Sequence, residues 1–242
     1  MRQIAGTLCF AAVALCAALP GVAQAGTVAS IRPSFAPDRA GASTAFTLKI
    51  AFANQQEGIP APVTGATVHL PAGLGIDLHG AGTCPKATLQ QNAGRSCPAS
   101  ARIGSGNALV VAHLGTLNLN ESASLTAWRG PNQGGQPTLE IVGQGLSPLE
   151  ERVVVSGVLK PDQAPYGEQL VMVNPAIPTL PLEPNAALSR FSLTIGSTRA
   201  GHAGRGLIRV PSGCPAGGFP FGADFSYADG STSATTATAP CP

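Results

Sequence analysis

Between Val68 and Gly106 the chain reads VHLPAGLGIDLHGAGTCPKATLQQNAGRSCPASARIGSG, and no other segment has so dense a set of specific residue choices. An apolar strand ends at Leu70-Pro71. A glycine-rich connection follows, then a loop bracketed by Cys84-Pro85 and Cys97-Pro98, then a new strand from Ile103. Inside the bracket, Pro85 to Asn92 (PKATLQQN) predicts a helix. Proline suits a first helical turn, and alanine, leucine and glutamine favour its continuation. Asn92-Ala93-Gly94 ends it. Two turns are marginal in isolation, so a covalent bridge between the flanking cysteines is the natural way to hold them.

Around this insert the chain reads as strands. Charged residues make up 11%, against roughly 25% in ordinary soluble domains. Glycine (30) and proline (22) are abundant. A hydrophobic fraction of 44% with a net charge of +2 is not the disordered signature, which pairs low hydrophobicity with high net charge. Val28 to Phe35 is expected as an edge strand, where Pro33 is tolerated. Ser43 to Asn54 alternates, with Phe46, Leu48, Ile50 and Phe52 on one face. Val63 to Leu70, Ile103 to His113, Leu114 to Trp128, Gln136 to Gly143, Arg152 to Leu159, Gln169 to Val173, Ala187 to Ile195 and Gly206 to Val210 follow as strands. Asn174 to Pro184 has four prolines and reads as an extended crossover. Gly217 to Ala228 and Ser231 to Thr238 form a last hairpin around Asp229-Gly230. The expectation is an all-β protein: an antiparallel two-sheet sandwich with one short helix in a disulfide-bracketed loop, a closed barrel being the competing arrangement.

The first 25 residues are expected to be a cleaved secretory signal peptide. Met1-Arg2-Gln3 is a basic start, Ile4 to Leu19 carries no charge, and Ala23-Gln24-Ala25 supplies the small residues before a cut. Residues 26–242 then form a single β-sandwich domain, secreted or at the cell surface, with no later apolar run long enough to span a bilayer. Removal of Cys9 and Cys16 leaves Cys84, Cys97, Cys214 and Cys241, an even number for an oxidising compartment. Of three possible pairings, Cys84–Cys97 and Cys214–Cys241 each close a local loop. Each would contribute about 3 kcal/mol by chain entropy.

Leu70 to Leu74 (LPAGL), the loop Cys84 to Gly104, the IPTLP segment Ile177 to Pro181 and the closing Cys214 to Cys241 unit together resemble a group of secreted, uncharacterised actinobacterial proteins. The resemblance covers nearly all of the mature chain. It implies a secreted β-sandwich with two local disulfides and brings no catalytic residues.

The chemistry-bearing residues are sparse. Near-neutral charge removes the electrostatic case for nucleic acid. His69, His79, His113 and His202 show no metal-ligand spacing, no cysteine pair has the spacing of a zinc site, and no cofactor motif is present. We expect histidines at strand ends, no metal or cofactor, and no catalytic residues. Glu121 and Glu140 are the acids most readily imagined as a folded-together pair for glycoside hydrolysis. Asn120-Glu121-Ser122 matches a glycosylation sequon but reads better as a hairpin turn. Trp128 reads as a core or rim residue. The polar residues Lys86, Gln90, Gln91 and Arg95 make the stapled loop the candidate recognition surface. The functional expectation is a non-catalytic binding or structural module of the cell envelope, whose partner is an envelope polymer or protein. A secreted polysaccharide hydrolase is the alternative.

Overall fold

A computed structural model describes residues 26–55, 58–114, 117–147, 150–177, 179, 185–197 and 206–241. The expected signal peptide therefore lies outside the described residues, as does His202. The described residues are nearly all β. The strands are β1 (Thr27–Ala36), β2 (Ser43–Asn54), β3 (Val63–Pro71), β4 (Gly75–Ile76), β5 (Arg102–Leu114), β6 (Leu117–Gln133), β7 (Gln136–Ser147), β8 (Arg152–Pro161), β9 (Tyr166–Val173), β10 (Ala187–Ile195), β11 (Ile208–Arg209), β12 (Phe219–Tyr227) and β13 (Thr232–Ala239). One short helix, α1 (Lys86–Asn92), lies between β4 and β5.

All the ladders are antiparallel, and they form one continuous path: β13-β12-β3-β9-β8-β7-β6-β5-β10-β2, with β1 beside β2. The hydrogen bonds therefore do not divide the strands into two separate sheets. The sheet instead curls until β1 runs alongside β13 without a ladder between them, and Phe35 of β1 packs on Phe219 and Phe221 of β12. This is the barrel-like alternative, closed by side chains at one seam. The two-residue strands β4 and β11 extend the β2 end of the path.

Local chemistry accounts for the elements. On β2 burial alternates strictly, with Phe46, Leu48, Ile50 and Phe52 buried and Lys49, Ala51 and Ala53 exposed, because successive side chains point to opposite faces. Pro33 lies in β1, whose only ladder is with β2, so its missing N–H leaves no central bond unmade. Asp229-Gly230 makes the last hairpin: Gly230 has φ +82°, and the Asp229 carboxylate accepts from the backbone N–H and hydroxyl of Ser231. Those bonds hold its pKa below the usual carboxylate value.

Two stretches differ from expectation: the strand expected to end at Trp128 runs on to Gln133, and an expected turn is strand. Gly130 to Gln133 continue β6, and the reversal is made by Gly134-Gly135 alone, with φ of +55° and +81°. Two consecutive positive φ values match a two-residue hairpin turn that only glycine takes without strain. Asn120-Glu121-Ser122 is not a turn. It lies within β6, paired with Val111, Val110 and Leu109 of β5.

The antiparallel alternation gives the barrel two ends. At one end lie the N-termini of β1, β3, β6, β8, β10 and β13 and the C-termini of β2, β5, β7, β9 and β12. We call this the rim end. The opposite, plug end holds Phe35, Phe46, Phe219 and Phe221, with Phe46 and Phe221 stacked at 5.3 Å between centroids. Both disulfides form as expected, Cys84–Cys97 and Cys214–Cys241, with Cα separations of 5.5 and 5.9 Å. The second joins the chain ahead of β12 to the chain after β13, at the plug end.

Candidate binding site

The interior of the curled sheet is not filled. A cavity of about 290 Å³, measured for the centre of a water-sized sphere, runs among the inward side chains. Its origin is legible residue by residue. One wall, on β2 and β10, carries large side chains such as Phe52, Phe191 and Leu193. On β5, β6 and β7 small residues, Ala108, Ala112, Ala123, Gly143 and Gly145, alternate in the lining with larger ones such as Val110, Leu125 and Ile141. At Gly143 an added Cβ would meet its nearest atom, Leu125 Cδ2, at 3.6 Å, an ordinary contact. Close-packed interiors rarely leave such space.

The polar groups of the lining are distributed unevenly. Thr64, Glu121, Glu151, Asn174 and Asn185 all lie at the rim end, and only Thr138 lies towards the plug end. Glu121 is 5% exposed and faces inward among Ala112, Ala123 and Ala186. The lining there reaches exposed Pro175 and Ala176 of the crossover after β9, so this end is the mouth. The crossover is fastened by the Ala186 N–H donating to the Ile177 carbonyl at 2.8 Å. At the other end buried Leu74, Leu207 and Ile208 close the cavity.

The stapled loop lies on the outside of this wall. Leu89 of α1 is fully buried against Cys84, Ala101, Trp128, Val142 and Val154, a cluster separate from the barrel interior. Burying such a leucine contributes roughly 1.5–3 kcal/mol. The helix ends at Ala93 and Gly94, with φ of +55° and +83°, and the N–H of Ala93 donates to the Leu89 carbonyl at 2.9 Å. The Arg152 guanidinium donates to the Gln90 carbonyl at 3.1 Å, and the Cys84 N–H to the Arg129 carbonyl at 2.8 Å. Trp128 is thus a buried residue beneath the loop, its indole N–H donating to Thr126 Oγ1 at 3.0 Å. Gln90, Gln91 and Arg95 are exposed, and Lys86 is half-buried. Lys86 lies near Glu140, which is buried on the outer face beside Trp128 and accepts from Ser156 Oγ at 2.7 Å. Burial raises the Glu140 pKa, opposed by the Ser156 hydrogen bond and the Lys86 charge.

Folding does not bring Glu121 and Glu140 together. Glu121 faces the interior at the rim end. Glu140 lies outside the barrel opposite Trp128, seven residues further along β6.

A cluster that the spacing of residues did not reveal lies on the outer face near the plug end. His69 of β3 is held between two carboxylates, Nδ1 to Asp162 Oδ2 at 2.6 Å and Nε2 to Asp224 Oδ2 at 2.9 Å, with the Tyr166 ring 5.0 Å away. His69 is therefore not a plain strand-end histidine. Burial disfavours the imidazolium, but the hydrogen bonds and charges of the two aspartates outweigh it, and its pKa stands above the usual 6.5. Through its two ring nitrogens the group ties β3 to β12 and to the β8–β9 turn. His79 is exposed and makes no comparable contact among the described residues. No cluster of metal-ligating side chains occurs among the described residues. None of their helices is long and apolar enough to cross a membrane. No protein-family model, curated protein or solved structure matches the chain.

Proposed function

We propose that this protein is a secreted or cell-surface binding module without catalytic chemistry, and that its ligand is an apolar molecule held inside the barrel. The cavity carries this reading: an apolar interior left open by small residues on β5, β6 and β7, with its polar groups gathered at one mouth. That asymmetry suits an amphiphile, with its apolar body among Leu125, Ile141 and Phe191 and its polar end near Asn174 and Asn185. Two disulfides fit the oxidising compartment that the leader sequence implies. The stapled loop serves mainly to cover Trp128 and stiffen the wall behind the cavity, with Gln90, Gln91 and Arg95 as its outward polar surface.

The test is a titration of the mature protein with 1-aminoanthracene, an uncharged fluorophore, followed by displacement with a long-chain alcohol. Saturable enhancement at one site, reversed by the alcohol, supports the reading. Retention on cell-wall fractions or glycans with no saturable fluorophore binding would replace it with an envelope-polymer module.

A further inference from the structure

We propose that the outer face of β1, β2, β10, β5 and β6 binds a linear acidic polysaccharide, its carboxylates met by Arg32, Lys49 and Arg190 and its hydroxyls by a row of uncharged polar side chains. The face is separate from the interior cavity, and nothing in the inference depends on a ligand there. Arg32 of β1 and Lys49 of β2 are direct ladder partners, so the two cations stand side by side, and both are exposed. Arg190 of β10, also exposed, is partnered with Ala51, two residues along β2 from Lys49. Like charges directly opposite one another destabilise a ladder, yet among the described residues no carboxylate pairs with any of the three; the ion pairs there belong to His69. A ligand bearing carboxylates would supply the missing countercharge.

The charge of this face has one sign. β1, β2, β5 and β10 contain no acidic residue, and the one acid of β6, Glu121, faces inward. β13, which runs alongside β1, is uncharged. Asp38 lies beyond the end of β1, and Glu140 of β7 is buried near the stapled loop. The exposed Glu150 and Glu151 follow β7, three strands from Arg190. That is about 14 Å at the usual strand spacing, against a screening length of about 8 Å at physiological salt.

The row that begins at Arg32 and Lys49 continues from strand to strand through Ser192, Asn107, Ser124 and Gln144, each the ladder partner of the one before. It ends at Arg152, whose guanidinium is already taken up by Gln144 and the Gln90 carbonyl. The neighbouring row towards the plug end is Ser34, Thr47, Thr194, Ser105 and Thr126, a hydroxyl on every strand. From Arg32 to Ser124 the first row crosses about 19 Å, far longer than a small anion. Hydroxyls and amides both donate and accept, which suits a chain as dense in hydroxyls as a polysaccharide. Neither row holds an aromatic ring on which a base could stack, nor an apolar side chain that could enter a bilayer.

The experiment measures binding of the mature protein to immobilised polygalacturonate at physiological salt, beside neutral dextran and poly-L-glutamate, an acidic polymer that is not a sugar. The wild type is expected to bind polygalacturonate at least tenfold more tightly than either. The double variant Arg32→Gln/Lys49→Gln is expected to lose about tenfold or more, and Asn107→Ala a smaller part. A control double variant, Arg95→Gln/Lys160→Gln, removes the same charge from exposed positions off the face and is expected to change affinity less than twofold. Thermal melting checks that each variant is folded. Absence of wild-type binding to polygalacturonate overturns the proposal, as does an equal loss in the two double variants, which would mean general charge attraction. Equal binding to poly-L-glutamate overturns the polysaccharide as partner, and a loss confined to the control would move the site to the stapled loop. Titration with 1-aminoanthracene keeps the two readings apart: the face variants should bind the probe as the wild type does, so either reading can fail without the other.

Discussion

The two ends of the barrel are built from the same alternating strands and differ in what fills them. The plug end holds four phenylalanines in mutual contact, a disulfide across the chain flanking the last hairpin, and the His69–Asp162–Asp224 clamp on its outside. The rim end has its own buried aromatics, Phe52 against Phe225 and Tyr227, but it also has small inward residues, most of the polar lining and every exposed large apolar side chain among the described residues. Both ends hold packed aromatics, and the open, partly polar lining lies at the rim end.

The sharpest way to break this comparison is to empty the plug. Phe221 is fully buried between Phe35 and Phe46, so Phe221→Ala should cost about 3–5 kcal/mol in a denaturant melt. Leu117→Ala at the rim should cost almost nothing. Equal costs would erase the distinction. Next in size is the stapled loop: replacing Cys84 and Cys97 together by serine should cost about 3 kcal/mol, again by denaturant unfolding, while leaving fluorophore affinity nearly unchanged, because the loop packs outside the cavity wall. A third change sharpens the loop's role. Gly94 has φ +83°, and an added Cβ would lie 2.6 Å from the Trp128 ring, so Gly94→Ala should cost about 1–3 kcal/mol and alter Trp128 fluorescence.

The smallest effect concerns pH. The folded pKa of His69 is raised by Asp162 and Asp224. A raised pKa gives stabilisation that is complete below the unfolded value of about 6.5 and is lost as pH rises through the folded value. Wild type should therefore exceed His69→Gln in stability at pH 5 by up to about 1 kcal/mol, as partly exposed ion pairs allow. The gap should close above the folded pKa. A gap that grows with pH would mean that the neutral ring, rather than the imidazolium, makes the clamp.

Much of the fold is legible in the sequence because it is written locally. The alternation of Ser43 to Asn54, the helix between the two Cys-Pro steps, the Asp229-Gly230 turn and the two short disulfide loops each depend on residues close in the chain. What is not legible depends on which strands become neighbours. His69, Asp162 and Asp224 meet only because β3 lies between β9 and β12. The reading of Asn120-Glu121-Ser122 as a turn failed because ladder partners on β5 outweigh the turn preference of Asn and Ser. The barrel in place of two sheets follows from the approach of β1 to β13, which no local pattern announces. The cavity had a faint signal, the run of alanine and glycine at alternate positions of β5, β6 and β7, but it takes the facing wall to turn small residues into space.

The cavity itself is tested most directly by filling it. Gly143 faces the interior with room for a side chain, so Gly143→Leu should occupy part of that space without disturbing the plug. The decisive measurement is the dissociation constant of 1-aminoanthracene for wild type and Gly143→Leu, both confirmed folded by thermal melting. One saturable site in the wild type, weakened about tenfold or more in the variant, is the predicted result. No saturable site in the wild type, or the same affinity in both proteins, would contradict a ligand-binding interior.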